Sequence, residues 1–389
     1  MSRRARILAA LATLAPDVAT EPGRVRIVRA PGRVNLIGEH TDYNQGWVLP
    51  VAISLETWIA SWPTADRSVH LASMQEQVRA EFDVSDPGPR RGDWTDYVAG
   101  VGLGMARTGV ALRGAAAVVD SNIPIGSGLS SSAALELAAA WTFSEAIPPP
   151  LAPMALARLA QRAENEYVGV ACGLMDQFAS ANGRAGAALL LDCRSLEYRP
   201  VALPRNLAIV VLDTNTRRQL ATSEYNSRRA DCERGVALLA TRYPGVSSLR
   251  DVSGHMLEAA EDLLGAQVLR RCRHVVEENG RVLEAVAALE AGDLEMVGRL
   301  FAQSHASLRD LYTVSSAELD ALVELAMSVP GVVGARMTGA GFGGCTVNLV
   351  HREGVEALRA AVESQYPLRA GRRAGFHVVR AVTGAGLVA

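Results

Sequence analysis

The sequence predicts an α+β protein of two domains, and three patterns carry that prediction. Short β-branched runs crowd the first third of the chain, helical periodicity dominates residues 223–329, and strand patterns return between 332 and 382. The change of pattern that begins near residue 185 places the boundary close to residue 200, dividing the chain into 1–200 and 201–389. At 389 residues, 49% hydrophobic and 21% charged, the chain is long and apolar enough to bury two cores.

Taken in order, the basic start around Arg3, Arg4 and Arg6 leads into Leu8, Leu11 and Leu14 at helical spacing. Pro16 and Asp17 cut this run too short for a signal peptide, so a packed first helix is predicted. Strands follow at 25–29, 34–37, 48–53, 58–61, 69–72 and 115–119, each β-branched and flanked by turn residues. Pro87, Gly88 and Pro89 mark a surface loop over 86–92, with a helix after it at 94–105. The prolines at 148–150 separate helices at 131–143 and 153–168; the second sets Leu156, Leu159, Ala160, Ala163 and Tyr167 on one face. Strands at 187–192 and 207–212 precede helices at 223–243, 260–270, 275–289, 294–307 and 317–329. The final strands fall at 332–337, 345–350 and 376–382, the last compatible with either sheet.

The chain contains no lysine. A Walker A loop needs Gly-Lys-Ser/Thr, a protein kinase needs its strand lysine and Schiff-base chemistry needs an amine, so all three are excluded. A formal charge of −2 supplies no basic field for nucleic acid or anionic membrane and favours a small-molecule partner. The five cysteines, Cys172, Cys193, Cys232, Cys272 and Cys345, are odd in number and widely spaced, as for reduced thiols of a cytoplasmic protein. No stretch approaches the length of a membrane span.

Three segments concentrate chemistry. The run from Gly32 through Arg33 to Gly38-Glu39-His40-Thr41-Asp42-Tyr43-Asn44 empties a strand into donors and acceptors suited to sugar hydroxyls, and also fits a solvated turn. Pro124-Ile125-Gly126-Ser127-Gly128-Leu129-Ser130-Ser131-Ser132 opens onto a helix, where glycines admit backbone amides to an anion and the helix dipole favours it. Its serines serve equally as helix caps or, beside a phosphate, as a Mg²⁺ ligand. Thr338-Gly339-Ala340-Gly341-Phe342-Gly343-Gly344-Cys345 holds more glycine than a tight hairpin requires and suits either close ligand approach or a bulged hairpin.

Together these segments resemble the GHMP family of small-molecule kinases, and within it the galactokinases. The likeness spans nearly the whole chain, in family order, and the first motif is its most specific part. It implies an α+β fold of two domains with the active site in the cleft between them. It also implies transfer of the γ-phosphoryl group of ATP to the anomeric hydroxyl of α-D-galactose, with Mg²⁺ as cofactor, by a cytoplasmic monomer.

The resemblance assigns Asp176 as catalytic carboxylate and Arg33 as its partner beside the phosphates. Glu39, His40, Thr41, Asp42, Gly173 and Tyr225 become sugar-binding, with Glu39 and His40 at the O6 end and Asp42 reading ring hydroxyls. Gly126, Ser127, Gly128, Leu129, Ser130, Ser131 and Ser132 bind the phosphates, and Ser132 with Glu164 holds Mg²⁺. Read without it, Asp176 is a loop aspartate, Glu164 a helix-surface glutamate and Tyr225 half-buried packing. Ala134 departs from the serine many relatives carry and leaves Ser132 intact. Two rivals stand beside this reading. One is another sugar 1-kinase, for N-acetylgalactosamine or arabinose; the other is a non-catalytic galactose and ATP sensor. Such sensors lack the Ser-Ala pair that Ser132-Ala133 supplies here.

Overall fold

The computed structural model describes residues 1–216 and 221–388. Helix α1 (Arg3–Leu14), capped by the Ser2 hydroxyl accepting from Ala5 N–H, buries Ile7 and Leu11 against Trp62, Ala116 and Val118 on the outer face of a sheet. That sheet begins with β1 (Arg26–Asn35). The strands predicted at 25–29 and 34–37 are therefore one, because Pro31 and Gly32 pass through a bulge instead of a turn. Only glycine fits at 32: a Cβ there would stand 2.6 Å from the Leu129 carbonyl oxygen of the loop at 124–130.

The short β2 (Trp47–Val48) precedes β3 (Pro50–Pro63), which likewise fuses two predicted strands. β4 (Ser68–Ser73) is followed by β5 (Ala80–Asp83), which no sequence pattern announced: only Ala80 and Phe82 turn inward, and acidic residues occupy the other face. Then come α2 (Thr95–Arg107), β6 (Ala115–Ser121) and α3 (Ser131–Phe143), the last at its predicted bounds. Alanines at 133, 134 and 138–140 let α3 lie close to the sheet, buried nearly all round. α4 (Pro153–Arg162) continues into a π-helical turn, Ala163–Val168, where one continuous helix was predicted. α5 (Met175–Asn182) is new, and it moves Asp176 from a loop into the first turn of a helix.

β7 (Ala187–Asp192) pairs with β2 and with β8 (Tyr198–Ala202), an exposed and polar edge strand missed for that reason. β9 (Leu207–Asp213) starts a second sheet. α6 (Ala221–Arg242), α7 (Gly254–Glu258) and α8 (Glu261–Ala291) follow. The helices predicted at 260–270 and 275–289 are joined in α8, whose break falls at Gly265, φ 69°, instead of between them. α9 (Leu294–Asp310), α10 (Ala317–Met327), β10 (Val332–Thr338) and β11 (Cys345–His351) match expectation. α11 (Val355–Ala370) does not, although Val355, Leu358, Val362 and Tyr366 recur at helical spacing and are buried. The chain ends in β12 (Gly375–Val379) and β13 (Gly386–Leu387).

The first sheet runs β13-β1-β3-β6-β4-β5 and the second β10-β11-β9-β12. β12 joins the second sheet while β13, a few residues on, pairs with β1 of the first, Val28 opposite Leu387. A continuous core links the halves: Leu36, Ile37 and Leu49 pack with Val282, Val286, Phe301, Val347 and Leu349. The turn after β1 is thereby pressed against the start of the β10–β11 loop. No described helix is long and apolar enough to cross a membrane.

Candidate active site between the two sheets

Arg33 and Asp176 come together from β1 and α5 as a two-pronged ion pair: Nε to Oδ1 at 2.7 Å and Nη2 to Oδ2 at 2.6 Å. The Ser130 hydroxyl donates to Oδ2 at 2.5 Å, and the remaining Arg33 nitrogen, Nη1, donates to the Gly128 carbonyl at 2.6 Å. Arg33 is buried while the Asp176 side chain keeps 26% of its surface open. Three donors thus fix the carboxylate in one orientation, and one acceptor position still faces the cavity.

The loop at 124–130 reaches this pair with Gly126, Gly128 and Ser130 all at positive φ, 72°, 78° and 61°. That is routine for glycine and uncommon for serine, and it aims the Ser130 side chain at Asp176. Gly126, Ser131 and Ser132 line an open recess at the N-terminus of α3. Ser127 and Leu129 are turned away: the Ser127 hydroxyl donates to the Pro124 carbonyl, and the Leu129 side chain lies in the core while its carbonyl accepts from Arg33 N–H.

Behind the recess lies an acidic pocket. Glu164, expected on a helix surface, is 94% buried in the π-helical turn. Burial, and after it the charge of Asp176, pushes its carboxyl up to about 7, while hydrogen bonds from Cys172 and Ser132 pull the other way. Fully buried Glu136 of α3 is its neighbour. Gln177 bridges the two carboxylates, its amide donating at 2.6 Å to Glu164 and at 3.0 Å to Glu136. Glu164 and Glu136, with the Ser132 hydroxyl hydrogen-bonded to Glu164, offer hard oxygen donors of the kind a divalent cation takes.

Asp176 and Glu164 both border a cavity of about 220 Å³, small enough for one polar metabolite, whose remaining wall includes Glu39, His40, Asp42, Gly173, Tyr225 and Gly339. Asp42 stands so close to residue 173 that a Cβ there would fall 1.8 Å from its Oδ2, so any side chain at 173 would displace the Asp42 carboxylate. Burial, then the nearby Asp176 charge, raises the Asp42 carboxyl to about 6. His40, at φ 64°, sets Nδ1 2.9 Å from the Tyr43 hydroxyl, which meets Tyr312 Oη at 2.8 Å. Burial and the approach of His274 hold His40 at about 3, so its imidazole is neutral, while the Ala340 backbone beside it pulls the other way. Tyr225 closes the wall, its ring 5.6 Å from His40 and 5.4 Å from Tyr43. Thr41 stands apart from the other sugar candidates: its hydroxyl, 2.8 and 2.7 Å from the Gly38 and Trp47 carbonyls, is committed to the turn. The structure makes it a residue that shapes the loop instead of lining the cavity.

Residues that sequence reasoning passed over complete the picture. Beside Gly126 and Ser132, Trp94, Tyr97, Ile125 and Leu135 line an apolar recess of about 370 Å³ that suits a flat aromatic group. In the sequence Trp94 and Tyr97 show only as the start of a helix. Arg336, on β10, reaches across to Glu39 at 2.5 Å, and nothing in its sequence setting separates it from the chain's other arginines.

Residues 18–63 match the galactokinase galactose-binding signature, 96–184 the GHMP kinases N-terminal domain and 285–368 the GHMP kinases C-terminal domain. The galactokinase of Roseiflexus sp. (strain RS-1) is 49% identical over 362 residues, 93% of each chain. That of Chloroflexus aggregans is 49% identical over 348 residues, 89% of each. Among solved structures, Lactococcus lactis galactokinase complexed with galactose superposes with a TM-score of 0.90 at 37% identity, covering 97% of this chain and 100% of that one. Methanococcus jannaschii mevalonate kinase shares the fold, with a TM-score of 0.67 at 18% identity, covering 92% of this chain and 98% of that one.

Proposed function

The chain belongs to the galactokinase family of GHMP kinases and is an ATP-dependent sugar kinase, and from that premise we propose that it phosphorylates the anomeric hydroxyl of α-D-galactose at the Arg33–Asp176 pair. One observation carries the assignment of roles: this pair stands between the loop at 124–132 and the cavity of Asp42, Gly173 and Tyr225, within reach of both. In this reading the sugar occupies the cavity, with Asp42, His40 and Glu39 taking its hydroxyls. The triphosphate lies along Gly126 to Ser132 at the α3 N-terminus, and the adenine fits the recess of Trp94 and Tyr97.

Phosphoryl transfer is mainly a matter of alignment and charge. The open acceptor position of Asp176 takes a hydrogen bond from the anomeric hydroxyl. As the sugar oxygen bonds to the γ-phosphorus, its O–H bond breaks and the proton passes to Asp176; the bond from phosphorus to the β–γ bridging oxygen breaks, and ADP leaves. Arg33 keeps Asp176 oriented and offsets charge on the transferred group. Ser132 and Glu164 would hold Mg²⁺, which supplies charge neutralisation on the phosphates. Ser132 and Glu164 are two protein ligands, and phosphate and water would supply the others; among the described residues no group of three or more His, Cys, Asp or Glu side chains is placed to hold a metal ion.

The proposal includes a division into domains at 1–200 and 201–389. It is supported by a site that takes Arg33, Asp42 and Asp176 from the first part and Tyr225 and Gly339 from the second. A monomer acting in the cytoplasm is inferred from family membership. The test is ADP release from MgATP with galactose, glucose, N-acetylgalactosamine, arabinose or no acceptor, the product identified by ³¹P NMR. Galactose 1-phosphate is expected from galactose alone. Galactose and ATP binding without turnover would favour the sensor. Asp176→Asn is expected to lower kcat by about 10²–10⁴ with galactose binding retained, and near-normal turnover would remove the proton-acceptor role.

A further inference from the structure

Glu39 lines the sugar cavity, yet its carboxylate is gripped from the opposite side by residues of the second sheet. Its Oε1 lies 3.1 Å from the Thr338 hydroxyl and accepts the Gly339 N–H at 3.2 Å, while its Oε2 lies 2.5 Å from Arg336 Nη1. Arg336 is wholly buried. The same Nη1 donates to the Leu36 carbonyl at 3.1 Å, but among the described residues its Nε and Nη2 have no hydrogen-bond partner.

The other carboxylate within reach, Glu278, is 3.8 Å from Nη2 and engaged elsewhere: Arg281 Nε, the Gly38 N–H and the Ser304 hydroxyl all donate to it. Burying a guanidinium and using half its fork is a poor way to stabilise a fold, since an apolar side chain of similar volume commonly serves as well. What an apolar side chain would not do is hold Glu39. Burial and the Glu278 charge push the Glu39 carboxyl up from its ordinary range, and Arg336 opposes them.

We infer that Arg336 is a positioning residue for sugar recognition, fixing the Glu39 carboxyl group as a hydrogen-bond acceptor in the cavity wall. The inference rests on the sugar-kinase reading of this cavity. Arg336 touches no substrate in it; it acts through Glu39, and the β10–β11 loop that carries Thr338 and Gly339 supplies the second anchor. Lysine would keep the charge and lose the planar fork, while methionine would lose both.

The experiment measures galactose and ATP KM, with direct galactose binding, for the wild type, Arg336→Met, Arg336→Lys and Glu39→Gln, using a series of monodeoxygalactoses as second substrates. For Arg336→Met we expect galactose KM to rise at least tenfold with ATP KM unchanged within about twofold, and for Arg336→Lys a smaller rise. The deoxy position at which Glu39→Gln erases discrimination should be the one at which the Arg336 variants erase it. Where Arg336→Met does not fold, Arg336→Lys carries the test. Equal rises in both KM values, or intact discrimination at the Glu39 position, overturn the inference. A wild type that neither binds nor phosphorylates galactose overturns the functional reading and the inference with it, and the wild-type arm alone reveals that case.

Discussion

Gly173→Ala replaces one hydrogen by a methyl group, and the structure says where that carbon goes. It falls 1.8 Å from Asp42 Oδ2 and 2.4 Å from Asp42 Cγ. An ordinary carbon–oxygen contact is about 3.3 Å, so the carboxylate must retreat by about 1.5 Å. Asp42 is half-buried in the cavity wall and its carboxylate, the end of a side chain, can swing, so the fold should lose only ~1 kcal/mol, the low end for an overpacked site. Sugar recognition has no such latitude. A reacting group misplaced by about 1 Å costs roughly a hundredfold, or ~2.7 kcal/mol, about what two lost hydrogen bonds amount to. We therefore expect galactose kcat/KM to fall about 10²-fold with ATP KM within about twofold of wild type. The assay is ADP release at saturating MgATP with galactose varied, paired with thermal unfolding. A variant within about threefold of wild type would show that Asp42 does not read the sugar from its position in the structure.

Ser130 tests the orientation of Asp176. Ser130→Gly keeps the positive φ and removes the hydroxyl donor, so kcat should fall about tenfold for ~1.5 kcal/mol of lost charge-assisted bonding. Ser130→Ala, which keeps the Cβ at the left-handed position, should be ~1 kcal/mol less stable than Ser130→Gly, read by chemical denaturation; an unchanged kcat in both would remove Ser130 from the site. Asp42 predicts a pH effect of definite sign. Its folded-state value, about 6, lies above that of the unfolded chain, so its contribution to stability is present at low pH and lost as pH rises through 6. Asp42→Asn should thus raise the melting temperature of the ligand-free protein more at pH 8 than at pH 4.5, and wild-type galactose KM should rise below pH 6; pH-independent differences would refute both. Glu164→Gln should raise the Mg²⁺ concentration for half-maximal turnover about tenfold or more, with chelation abolishing turnover in the wild type. An unchanged Mg²⁺ requirement would take Glu164 out of the metal site.

Much of the fold was legible where one local rule dominated. α3 begins after the glycine and serine loop and stops where its apolar run ends, so both bounds showed in the sequence. β1 did not read as one strand, since Pro31 and Gly32 normally signal a turn; what carries the strand across them is the approach of the loop at 124–130, a contact between segments far apart in sequence. α5 is eight residues long and β8 mostly exposed, too short and too polar for periodicity to register. α11 is different: its buried positions were there to be read at helical spacing.

The site divides in the same way. The three glycine-bearing segments were visible, but the partnership of Arg33 with Asp176 spans 143 residues and entered only through family resemblance. The Thr41 hydroxyl turns to the Gly38 and Trp47 carbonyls, which its motif position could not show, since that position says nothing about which way a hydroxyl turns. Trp94, Tyr97 and Arg336 were missed because an aromatic helix start and an arginine on a strand are unexceptional until the fold shows what lies beside them.

The return of β13 to the first sheet changes what it would mean to cut this molecule. β1 has β3 on one flank and β13 on the other, and Arg29 hydrogen-bonds to Thr383 across 354 positions of sequence. A fragment ending near residue 200 would expose the free edge of the strand that carries Arg33, a row of unsatisfied amides and carbonyls open to self-association. The complementary fragment would carry β13 with nothing to pair against. Physically the chain is a clasp whose two ends fasten to each other, so the halves make poor independent modules and good candidates for a split enzyme that works only when reassembled.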